Sequence, residues 1–156
     1  MGVLANLTAY GKRAIAQRMF VKGQSSVAAA ILLRQQGGYE WVVLHLHCQG
    51  LEIVLKAFLL LHDYDYYSPR LRKDYGHDLE KLARATLRLY GLNPLSTAVA
   101  SELHGLNQLY RQHLLRYASG YDLVADPVAI PSDRVLRRLV AALRLADAHG
   151  VLESRS

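Results

Sequence analysis

The chain is poor in the residues that would cross-link it or carry it through a membrane. One cysteine, Cys48, among 156 residues allows no internal disulfide and no C-x-x-C pair for zinc or redox chemistry. Four prolines and an absence of alternating β-branched runs leave little that reads as strand or proline-rich linker. No run of 18 uncharged apolar residues is present, which argues against a membrane-spanning helix. The N-terminus has no basic start leading into an apolar run and a small-residue cleavage site. MGVLAN also puts Asn6 where a myristoylation site has Ser or Thr, so the expected location is cytoplasmic.

What is present suits one domain: 51% apolar and 21% charged residues, with a formal charge of +6. The charge is uneven. Lys12, Arg13, Arg18, Lys22 and Arg34 face Glu40 alone in residues 1–40, while the rest is nearly balanced. Arginine outnumbers lysine 14 to 5, and planar guanidinium groups suit phosphate or carboxylate pairing. This basic segment is either a solvated helix face or a nucleic-acid footprint.

Hydrophobic periodicity predicts an all-α fold, an up-and-down bundle of four to five helices. Residues 3–36 form one helix or two, because Gly23 and Ser25-Ser26 interrupt the pattern before Gly37-Gly38 ends it. A second helix covers about 39–62, with Trp41, Leu44, Cys48, Leu51, Leu55 and Phe58 at three- and four-residue steps. It is apolar on most sides, hence central, and a candidate for part of a homodimer interface. The stretch DYDYYSPRLRKDYG from Asp63 to Gly76 reads as a long loop, and its four tyrosines with Arg70, Arg72 and Lys73 have the mix of stacking rings and cations that single-stranded RNA uses. A third helix spans about 78–90. Asn93-Pro94 is an N-cap and N1 pair opening a fourth helix to about Ala118, which Gly120 ends. Ser132 or Asp133 caps a last helix to Ala148.

His45, Gln49, Glu52 and Lys56 lie at i, i+4, i+7 and i+11 on the otherwise apolar second helix, so they share one stripe. Glu52 and Lys56 have the spacing of a structural ion pair, and the stripe also has what a polar ligand site needs. A metal at His45, Cys48 and Glu52 is not expected: the other histidines are scattered and no Glu-x-x-His pair accompanies them. No cofactor is expected.

The run GGYEWVVLHLHCQGLEIVLKAFLLL resembles the signature helix of the HEPN superfamily (higher eukaryotes and prokaryotes nucleotide-binding), with Gln49, Glu52 and Leu55-Lys56-Ala57 in the characteristic places. GHDLEKL resembles the family's His-Asp-Leu motif, carried here by His77, Asp78 and Leu79. LNQLYRQHLLRYAS resembles the closing helix of the branch paired with nucleotidyltransferases, with Arg116 and Tyr117 before Ala118 where that branch often has proline. The resemblance covers about residues 38–120, with the helix at about 133–149 as an addition to a single 1–156 domain. It implies a helical bundle that usually dimerises, nucleotide or RNA as ligand, a place in toxin-antitoxin systems, and a nucleotidyltransferase-like partner. The ligand-binding residues it implies, with the loop cations added, are Gln49, Glu52, Lys56, Arg70, Lys73, His77, Asp78, Arg116 and Tyr117.

Ribonuclease members of that superfamily resemble one another in an Arg-x4-6-His motif, chemically sensible because a histidine moves protons while an arginine holds the phosphate. Here the spacing occurs at Arg70 and His77, Arg72 and His77, and Arg144 and His149, none within the expected helix. His77 and Asp78 also have a structural reading, as packing and capping residues at a helix start. Three functions follow. The leading one is a noncatalytic nucleotide- or RNA-binding or partner-docking module. The others are a divergent metal-independent ribonuclease using Arg72 and His77 or Arg144 and His149, and a purely structural helical dimer.

Overall fold

A computed structural model of the chain describes residues 6–148, and these are helical with no strand among them. Five long helices make the body: α1 (Ala9–Gln35), α2 (Glu40–His62), α4 (Leu79–Leu89), α5 (Thr97–Arg111) and α7 (Asp133–Ala148). Short pieces join them: α3 (Tyr64–Tyr67), a π turn at Leu71–Tyr75, α6 (Gly120–Val124) and a 3-10 turn at Pro127–Ala129.

Residues 9–35 form one unbroken helix, started by Thr8, whose hydroxyl accepts from the Gly11 amide. Gly23 does not break it because it serves a contact. A Cβ there would lie 2.7 Å from Val54 Cγ2 and 2.9 Å from the Val54 amide nitrogen, and one on Gly50 would lie 2.7 Å from Val27 Cγ2. The two glycines therefore let the α1 and α2 backbones approach closely, and the pairing of 23 with 54 and 27 with 50 makes them antiparallel. Gly37, at φ 71°, turns the chain between them.

α2 is the central element. By length and composition it could cross a membrane, but 67% of that stretch is buried inside the fold, as befits a core helix. Val43, Leu44, Val54, Ala57 and Leu59 are fully buried. Phe20 of α1 packs edge-on against Phe58, with ring centroids 5.5 Å apart.

Strict up-and-down alternation is lost after α2. His77 touches Glu52 just before α4 begins, while Tyr90, which follows α4, donates to the Phe58 carbonyl and packs on His62. α4 therefore runs in the same sense as the second half of α2. The 63–78 segment makes this possible by travelling back along α2. It is more ordered than a loop: Asp63 caps α3, and Gly76, at φ 52°, closes the π turn.

α5 is shorter than its sequence pattern at both ends. Ser96 caps it, accepting from the Val99 amide, and its last turn ends at Arg111, with His113 at φ 59°. Arg116 and Tyr117 thus follow the helix rather than close it. Gly120 opens α6 instead of ending α5, behind a capping box made by Ser119 and Asp122. At the start of α7 the Arg134 amide donates to Glu102 of α5, so one of the orphan donors of α7 is satisfied from a neighbouring helix. Arg34 ties three elements together through Glu40, Ser132 and Asp133.

Candidate functional site: a histidine-arginine cleft over Glu52

The stripe on α2 meets the fold at Glu52, which is 7% exposed and has three partners. Lys56 Nζ lies 2.6 Å from Oε1; His77 Nδ1 lies 2.9 Å from Oε2, and the Tyr110 hydroxyl donates to the same oxygen at 2.5 Å. Burial alone would raise the Glu52 pKa, but the hydrogen bonds from Lys56, Tyr110 and His77 outweigh it and hold the carboxyl below its ordinary range. Glu52 is therefore a buried, ionised acceptor. Tyr110 is pushed up by its own burial and then by donating to that negative carboxylate, so it stays a neutral donor.

Around this centre three elements converge on a small surface cleft lined by His45, His77, Tyr110, His113 and Arg116. The His77 ring stands 5.8 Å from both the Tyr110 and the His113 rings, and His45 stands 5.9 Å from Tyr110. His45 is half-buried, and its pKa is lowered first by that burial and then by the Arg116 charge, so it sits in the wall as a neutral ring. His77, His113 and Arg116 form the exposed rim. With Nδ1 committed to Glu52, His77 turns Nε2 to other uses. The cleft volume is about 20 Å³, roughly a water molecule's worth, so it admits a phosphate oxygen and not a base.

Asp78 does a different job. It caps α4 by accepting from the Lys81 amide, and it is steadied by Asn107 Nδ2 at 3.1 Å and Arg111 at 3.5 Å. Burial would raise its pKa, but these bonds and charges lower it overall. Asn107, only 1% exposed, also accepts from the Leu79 amide at 2.8 Å, so the start of α4 is pinned to α5 and His77 is placed by both.

The other sequence candidates divide. Gln49 is half-buried on the stripe between His45 and Glu52. Arg70 lies 3.9 Å over the Tyr66 ring and reaches Asp74, whereas Arg72 and Lys73 are exposed on the π turn that leads into His77. Tyr117 is 65% exposed beside Arg116. Arg144 is exposed on α7, and His149 lies outside the described residues. Of the basic N-terminal segment, Lys12 pairs with Asp65 at 2.8 Å and Arg34 is held as above, while Arg13, Arg18 and Lys22 face solvent. Tyr110 and His113 were not among the site candidates. Among the described residues no three His, Cys, Asp or Glu side chains are grouped to hold a metal ion.

Comparison with family models, with curated proteins and with solved structures returns no match.

Proposed function

We propose that the chain is a noncatalytic HEPN-like module that binds the phosphate of a nucleotide or of single-stranded RNA at the His77, His113 and Arg116 rim. The observation that carries this reading is the convergence of a guidanidinium and two imidazoles over an ionised buried carboxylate. Arginine supplies a permanent planar cation for phosphate oxygens, and each imidazole supplies a donor. Glu52, by holding His77 Nδ1, fixes the ring and leaves Nε2 as the nitrogen that meets an arriving anion. The small cleft supports surface contact with a backbone phosphate rather than enclosure of a base. The exposed Arg72 and Lys73 extend the same basic character on the segment entering His77. A nucleotidyltransferase-like protein is the partner this reading allows, within a toxin-antitoxin type of system.

One observation favours the ribonuclease alternative. Two histidines with rings 5.8 Å apart, one oriented by a carboxylate, are what a general acid and base need on either side of a phosphodiester.

Fluorescence anisotropy with labelled single-stranded RNA, without added metal, tests the proposal. Arg116→Ala and His113→Asn are the informative variants, since asparagine tolerates the positive φ at 113. Each is expected to weaken binding by about tenfold and to flatten the salt dependence. Binding that ignores both variants, or no binding at 50 mM salt, sinks it. Intact RNA in the same samples upholds the noncatalytic form; cleavage lost in His113→Asn moves the assignment to the nuclease.

A further inference from the structure

An unfilled apolar space lies away from the histidine cleft. Two cavities, of about 500 and 400 Å³, share Ala83, Leu87, Leu92, Leu95 and Leu103, so they form one groove between α4 and α5 that runs on toward α2 and α7. Two hydroxyls in or beside its walls are already spent: Thr86 donates to the Leu82 carbonyl and Tyr90 to that of Phe58. The charged groups on its walls are Glu80, already engaged by His104 and Asn107, with Arg84 and Arg88 along one part and Arg138 along the other; the three arginines outnumber it and have no ion-pair partner among the described residues.

A matching convex feature stands elsewhere on the same chain. The 121–128 knuckle exposes Leu123 at 88%, Val124 at 84% and Val128 at 77%, the most exposed large aliphatic side chains described. It is held firmly from behind. Tyr121 packs edge-on against Trp41 at 5.6 Å, Ala125 and Ile130 pack on the core, and Ser119, Asp122 and Asp126 cap its turns. Those two aspartates have no cationic partner among the described residues. The knuckle is therefore apolar with an acidic flank, and the groove is apolar with a basic rim.

A chain cannot fill its own groove with its own knuckle. The knuckle is fixed near Trp41 with Leu123 and Val124 open to solvent, and the groove's lining on α2, Leu51 to Phe58, starts about 15 Å further along that helix at 1.5 Å per residue. We propose that the Leu123-Val124 knuckle of one chain docks in the α4/α5 groove of a second copy, with Asp122 and Asp126 meeting Arg84, Arg88 or Arg138. This differs from a dimer built on the rest of α2, where Val42 is the one large apolar side chain that is exposed and Leu46, Ile53 and Leu61 are half-buried. It is also independent of the phosphate-binding reading, since neither knuckle nor groove includes a cleft residue.

Sedimentation velocity of the full chain, with directed cross-linking, tests the proposal. The wild type is expected to associate at micromolar concentration. Leu123→Asp with Val124→Asp, and separately the exposed triple change Arg84→Glu, Arg88→Glu and Arg138→Glu, should each weaken association by tenfold or more. A chain carrying Leu123→Cys mixed with one carrying Leu92→Cys should give the mixed disulfide in preference to either like pair, because docking sets 123 of one copy beside 92 of the other; Cys48, buried and with its thiol held protonated, does not compete. A monomeric wild type, association indifferent to both sets of changes, or disulfides only between like cysteines would overturn it. RNA affinity of monomeric variants reports on the histidine cleft separately.

Discussion

His47 sets a pH limit on the fold. It is 5% exposed, neither ring nitrogen has a hydrogen-bond partner, and it borders a tight space with Leu106, Val135 and Leu139. Burial, with a smaller push from Arg34, brings its pKa from 6.5 down to about 4. The unfolded chain therefore takes up this proton at higher pH than the folded one, so stability is complete above about pH 7 and falls as pH drops from the unfolded value toward the folded one. A gap of about 2.5 units corresponds to about 3 kcal/mol in all, of which about 2 kcal/mol is lost between pH 7.5 and 5. His45, also lowered, adds in the same direction. Urea unfolding monitored by circular dichroism at the two pH values measures the loss. His47→Leu should remove most of it and leave the variant the more stable protein at pH 5. An unchanged pH dependence in His47→Leu would show that the ring does not titrate as its surroundings require.

Two further perturbations address packing and the buried charge. Glu52→Gln leaves Lys56, itself 11% exposed at the side chain, without its counter-ion; about 3 kcal/mol of stability and a melting temperature drop near 10 °C are expected at pH 7, read by calorimetry. A shift under 2 °C would mean that the carboxylate does not organise the site. Gly23→Ala gains about 1 kcal/mol in helix propensity but drives a methyl into the Val54 backbone, so a net loss of about 2 kcal/mol should appear in denaturant midpoints; net stabilisation would show that α1 and α2 are not in such close contact.

The helical class and α2 were legible because a 3.6-residue period survives in the sequence. His45, Glu52 and Lys56 fall on one stripe by that arithmetic alone, and the spacing of Glu52 and Lys56 anticipates their ion pair. Tyr110 falls at i+7 and i+4 from Leu103 and Leu106, a spacing that accounts for its buried ring and is silent about its hydroxyl, which meets Glu52 across 58 positions of chain that no local pattern connects. His113 was missed because nothing in the sequence ends α5 before Gly120; a non-glycine residue at positive φ carries no strong signal. At the other end two capping signals compete, Asn93-Pro94 and Ser96. The second wins, leaving Leu95 outside α5, where it lines the groove beside Leu92. Gly23 was ambiguous for a similar reason: a glycine that breaks a helix and one that admits a neighbouring backbone look alike until the neighbour is in place.

The most direct test of the cleft follows the imidazole resonances by nuclear magnetic resonance while inorganic phosphate, then a nucleoside monophosphate, is titrated in. The account predicts that His77 and His113 shift together and saturably, that His62 and His104 do not, and that Arg116→Ala abolishes the response. Equal small shifts at all exposed histidines, or a response that survives Arg116→Ala, would contradict it.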